Sequence, residues 1–132
     1  FGIEAIAFAI NIFTVPANGK IFFTAYNIIH AIGQAGINSA IINLAYDYVE
    51  DNQKTGAVAL VNTFSGFAGF FTTLALSPLV AYIQNNGNKL FGINMQAQQL
   101  LSLVSLIFTI VILIYLFTVI SKIPSKRERK SE

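Results

Sequence analysis

The side chains able to do chemistry in this 132-residue sequence are few: one histidine, His30, no cysteine, and six acidic residues. A phosphate-cradling glycine loop, metal-ligand spacing and a paired nucleophile are all missing, so the sequence predicts neither an enzyme nor a bound metal or cofactor. What stands out is a set of polar residues at helical spacing. At about 100° per residue, Asn27, His30, Gln34 and Asn38 fall within an arc of roughly 80° on one helix. Such a stripe can line a watery solute path, with His30 exchanging a proton near neutral pH. It can equally hydrogen-bond to neighbouring helices with no transport role.

Beside that stripe run Ala25, Gly33, Gly36 and Ala40, small enough to admit a close helix neighbour. Further along, Asn62, Ser65, Gly66, Gly69, Thr72 and Thr73 gather opposite Phe67, Phe71 and Leu74. Asn62 suits a hydrogen-bonding path, whereas Gly33, Gly36, Gly66 and Gly69 suit helix packing. Glu4 is the one acidic residue within an apolar block. It is either a mid-membrane carboxylate suited to proton coupling or a group at a helix end that meets a partner elsewhere.

The elements that must carry these residues follow from the charge pattern. Hydrophobic residues make up 55% and charged ones 11% of the chain, with a mean hydropathy of +0.64. The charges punctuate long neutral blocks. Residues 21–44, 57–83 and 100–120 each supply the roughly 20 residues that a helix needs to cross about 30 Å of hydrocarbon. Residues 1–15 reach only about 22 Å and begin at Phe1, so they read as a transmembrane helix cut short. Turn formers separate the blocks at 16–19, 47–56, 85–88 and Gly92, which predicts antiparallel helices. Asn18 and Asn52 are expected N-caps, and Pro78 an expected bend. The fourth span carries few polar residues, among them Ser102, Ser105 and Thr109, and reads as a support facing lipid.

Lys122, Lys126, Arg127, Arg129 and Lys130 crowd residues 121–132, and cytoplasmic flanks of membrane helices are enriched in such residues. A basic cytoplasmic tail is therefore expected, with Lys54 inside and Lys20 and Lys89 outside. The tail can act as a topology signal or touch anionic lipid. Nucleic acid is not an expected partner, since the run lacks interleaved aromatics and directly follows a span.

In order, these features resemble the closing portion of a major facilitator superfamily transporter, from the end of the ninth helix through the twelfth. The likeness rests on three stretches. Residues 46–56 are similar to the acidic, then basic, then small-residue loop between the tenth and eleventh helices. Residues 62–69, with Asn62, Ser65, Gly66 and Gly69, resemble the eleventh helix, and 81–88 its outer end. The resemblance implies an all-α membrane fold forming part of a C-terminal bundle, with the tenth and eleventh helices facing the path and the ninth and twelfth outside. It implies Asn27, His30, Gln34, Asn38 and Asn62 as path-lining, and Asp47, Glu50, Asp51 and Lys54 as an inner-loop charge network. Lys54 stands where many relatives have arginine, and a lysine holds carboxylates as a point charge rather than a bidentate fork.

The expected function is thus the C-terminal part of a secondary active transporter for a small solute, partnered by lipid and by the transporter's remaining helices, and not competent alone. Two other readings fit the same residues. One is a complete four-helix transporter acting as a dimer with Glu4 as its proton carboxylate. The other is a non-transporting membrane subunit that grips a partner through its small-residue faces.

Overall fold

A computed structural model describes residues 1–122 and is mostly helical. Helix α1 spans Gly2–Ile12, α2 Gly19–Tyr48, α3 Lys54–Asn85 and α4 Ala97–Thr118. Short 3₁₀ turns occupy Asp51–Gln53 and Ile120–Lys122, and two strands, β1 Lys89–Leu90 and β2 Ile93–Asn94, form a small antiparallel hairpin. Three stretches, Gly19–Tyr48, Asp51–Asn85 and Ala97–Lys122, are long and apolar enough to cross a membrane. The tail residues Lys126, Arg127, Arg129 and Lys130 lie outside the described residues.

Helices α2 and α3 overrun the apolar blocks that mark them at both ends, whereas α4 starts ahead of its block and ends at Thr118, just short of the block's end. At about 1.5 Å per residue, α2 reaches about 45 Å and α3 about 48 Å, more than a hydrocarbon layer requires. Apolar content marks where lipid can lie, whereas the backbone ladder continues until a residue stops it. Asn18 stands at the N-cap position of α2, yet its side chain turns back: Val15 N donates to Oδ1 at 2.8 Å, and Nδ2 donates to the carbonyl of Phe13 at 3.1 Å. It thus ties off α1 instead of capping α2. Asn52 is not a cap. It lies inside the 3₁₀ turn Asp51–Gln53, which moves the N-cap of α3 to Gln53. Pro78 sits within α3, which continues through it.

The loop predicted around Asn85–Asn88 and Gly92 contains the hairpin, an element the sequence does not announce. Lys89 pairs with Asn94 and Leu90 with Ile93, leaving Phe91 (φ 50°) and Gly92 (φ 86°) as a two-residue loop with both φ positive. Right-handed strand twist favours that turn, but an asparagine or glycine usually takes the first position.

The short α1 is the centre of the packing. It contacts both α2 and α4 extensively, while α3 touches α2 and α4 only lightly. Among the described residues apolar burial is slight, limited to Ala7, Ile83 and Leu100, whereas Glu4, Asn11, Thr14, Ser102 and Thr109 are buried. Phe64, Phe71, Phe108, Phe117 and many isoleucines and leucines face outward. A water-soluble domain has the reverse distribution. Hydroxyls on the long helices bond to the carbonyl four residues back, as with Thr24 to Lys20, Thr63 to Ala59, Thr73 to Gly69 and Thr118 to Ile114. A side chain satisfied by its own helix needs neither water nor a partner.

Candidate functional site

Helix α1 buries Glu4, Ala7 and Asn11, spaced three and four apart along one face, and Thr14 just past its end is buried as well. At its C-terminal end, Asn11 Nδ2 donates to Ser102 Oγ of α4 at 2.7 Å. Gln99 Nε2 donates to the carbonyl of Ile12 at 2.9 Å, while Gln99 Oε1 accepts from Gln96 N at 2.8 Å. One glutamine therefore closes the start of α4 and occupies a carbonyl that the end of α1 leaves open.

At the other end of α1, Glu4 meets α2. Its Oε2 lies 2.8 Å from His30 Nδ1, and the carboxylate is 2% exposed against 30% for the imidazole. The ring of Tyr26 stacks on His30 at 5.2 Å between centroids and 16° between planes, and Phe8 tilts against it at 5.7 Å. The imidazole is thereby held with Nδ1 toward Glu4. Gly33, one turn on, makes the room: a Cβ there would lie 2.9 Å from Glu4 Cδ and Oε1. Among the described residues, Glu4 Oε1, Asn11 Oδ1 and Thr14 Oγ1 are buried with no hydrogen-bond partner.

A second polar locus lies between α2 and α3. Asn38, Ile41 and Ile42 of α2 and Val58, Val61, Asn62 and Ser65 of α3 line a cavity of about 330 Å³. Thr72, Thr73 and Ser77 of α3 line a cleft with Leu101 and Ser105 of α4.

The stripe read on α2 is therefore divided. His30 faces α1, Asn38 joins Asn62 at the α2–α3 cavity, and Gln34 is exposed. Asn27 is exposed and donates to its own helix at the carbonyl of Phe23, 2.7 Å away. Of the four glycines read as packing positions, Gly33 meets a neighbour, and Gly36, Gly66 and Gly69 face open space among the described residues. At the start of α3, Lys54 Nζ lies 2.8 Å from Asp51 Oδ1 and 5.2 Å from the centre of the Tyr46 ring. The hydrogen bond to Asp51 raises the Lys54 ammonium above its ordinary value, and the charges of Tyr46 and Asp47 add to it. Glu50 is exposed and supplies its carbonyl to Gln53 N at 2.9 Å.

Two features escaped the sequence reading, the Glu4–His30 pair and the Asn11–Ser102 bond. The spacing of Glu4, Ala7 and Asn11 was the available signal, since one polar face on so short a helix implies neighbours on that side. Comparison with protein-family models, curated proteins and solved structures finds no match to the chain.

Proposed function

We propose that this chain is the C-terminal part of a secondary active transporter of the major facilitator type, moving a small solute by alternating access. The observation that carries the reading is the cavity between α2 and α3, where Asn38, Asn62 and Ser65 converge between otherwise apolar walls. Its volume lies within the roughly 300–1,000 Å³ of small-molecule sites, and a few placed polar groups in an apolar lining are their usual make-up. Its lining carries no charged side chain, which suits a neutral, hydrogen-bonding part of a solute.

The outward apolar surface and the self-satisfied hydroxyls support helices crossing lipid as antiparallel neighbours, with the basic tail cytoplasmic. In this reading, helices of the same transporter complete the solute site, and the chain alone carries no flux. Asp51 and Lys54 brace the inner loop between α2 and α3.

The lack of native cysteine gives a clean test. Asn38→Cys, Asn62→Cys and Ser65→Cys, each in membranes, should react with a water-soluble, membrane-impermeant thiol reagent. Phe64→Cys and Phe71→Cys, on the outward side of α3, should not. Silence at all three cavity positions would rule out an aqueous path there. Labelling at Phe64 and Phe71 equal to that at the cavity would show that α3 is not lipid-facing.

A further inference from the structure

We infer that Glu4 and His30 form a proton-binding latch that holds α1 against α2 only while the pair retains its proton. The inference stands on the α1–α2 contact and does not depend on the α2–α3 cavity carrying solute.

A separation of 2.8 Å between Oε2 and Nδ1 requires a hydrogen between them, donated from one side or the other. At zero net charge the pair is either a carboxylic acid donating to a neutral imidazole or a carboxylate accepting from an imidazolium. Releasing one proton to water leaves a carboxylate and a neutral imidazole, whose Nδ1–H can still donate to Oε2, so what changes is a net charge of −1 held in a buried site. Among the described residues no Lys or Arg side chain faces the pair, and the free N–H groups of the first turn of α1, where Glu4 lies, offset the charge only in part. From α2 it is faced by His30 and Tyr26, and Glu4 is the only ionisable side chain on α1. Helix α4, on the other side of α1, carries no Asp, Glu, Lys, Arg or His, and Tyr115 is its one ionisable side chain.

The second carboxylate oxygen sharpens the argument. Oε1 is buried against Gly33 and meets no hydrogen-bond donor among the described residues. A buried carboxylate oxygen with no donor is costly to charge, and the cost is relieved by rehydration. Rehydration at this site means parting α1 from α2, because Gly33 leaves no space for water while the helices touch. The packing allows such a motion. The far end of α1 is secured to α4 by Asn11–Ser102 and Gln99–Ile12, so the Glu4 end can separate from α2 about that anchorage. His30 is the route for the proton. Its ring is partly exposed and is oriented by Tyr26 and Phe8, so a proton accepted at Nε2 can be delivered from Nδ1 to an otherwise enclosed carboxylate.

The test uses the full chain in lipid nanodiscs, with spin labels at Ile6→Cys and Ile28→Cys, exposed positions on α1 and α2. As the pH is raised, the distance distribution should show a short population replaced by a longer one. Their ratio should change about tenfold per pH unit, the signature of one proton. Glu4→Gln, which keeps the shape without the titratable charge, should hold the short distance throughout. An unchanged distribution in the otherwise native chain, or a pH response that survives Glu4→Gln, would overturn the latch. The infrared band of a protonated carboxylic acid, followed over the same range without labels, provides a second readout. It should fade in step with the short distance if Glu4 holds the proton, or be absent throughout if His30 does, and a band that stays constant while the distance changes would also overturn it.

Discussion

Gly33 of α2 lies directly against the carboxyl group of Glu4 on α1, so closely that a methyl group on Gly33 would stand 2.9 Å from Oε1 and 3.0 Å from Cγ. The missing side chain is what lets the carboxylate reach His30. Gly33→Ala should displace the Glu4 side chain and break its 2.8 Å contact with His30, at a cost of about 1–3 kcal/mol, as overpacking of a close contact usually gives. Gly36→Ala, with open space before it, should be neutral or stabilise α2 by up to about 1 kcal/mol through helix propensity. Unfolding midpoints of the two variants in mixed detergent micelles separate these outcomes. Equal losses would mean that the Gly33 contact is not the feature that matters.

The Asn11–Ser102 bond makes a different prediction, because Asn11 Oδ1 already lacks a donor among the described residues. Ser102→Ala should strand Nδ2 as well and cost about 1 kcal/mol, within the range of hydrogen bonds between membrane helices. Replacing both partners removes the buried polar group along with its bond, so Asn11→Leu combined with Ser102→Ala should be no less stable than Ser102→Ala alone. A double variant much weaker than the single one would show that Asn11 is held by more than Ser102.

How much of this was legible in the sequence differs by level. The long helices were, because residues 21–44, 57–83 and 100–120 hold no acidic or basic side chain but His30, and the structure places α2, α3 and α4 over them. Their ends were not. Tyr48 and Asn85 continue helices beyond the apolar blocks, since backbone hydrogen bonds persist in water as well as in lipid. The hairpin was hidden by Phe91, a residue that rarely takes a positive φ. At the candidate site, the convergence of Asn38 and Asn62 followed from reading polar faces on two successive helices. The Glu4–His30 pair did not follow, because periodicity tells which face of a helix is polar and nothing about which neighbour, or which depth, that face meets.

Lys54 gives a pH prediction with a defined sign. Asp51 raises its pKa above 10.5, so the interaction contributes in full below that value and is lost as the pH rises through the higher folded-state value. Asp51 is largely exposed and Lys54 partly so, and screening keeps the contribution small. Lys54→Gln should therefore differ slightly from the native chain at neutral pH, and the difference should vanish once the pH passes well above 10.5. A gap that widens in alkali would mean that Lys54 is held by something other than Asp51 and its neighbours.

The hairpin between α3 and α4 has an apolar tip where two membrane-length helices end. Phe91 is 85% exposed and Ile93 65% exposed, and the Phe91 ring lies 6.5 Å from that of Tyr82, with Lys89 in the adjoining strand. Aromatic rings beside a lysine at the end of a span are the usual make-up of an interfacial anchor, with the rings at headgroup depth and the ammonium toward water. The chain contains no tryptophan, so Phe91→Trp places a single tryptophan at that tip, excited selectively over the tyrosines at long wavelength. In lipid vesicles its emission should be blue-shifted and quenched by lipids brominated near the headgroup, and it should resist quenching by aqueous iodide. Charge at the tip should oppose insertion, so Phe91→Asp should weaken the anchorage while α3 and α4 remain helical. Emission at the wavelength of water-exposed tryptophan, with full access to iodide, would place the hairpin clear of the bilayer and leave Tyr82 as the aromatic group at that end of α3.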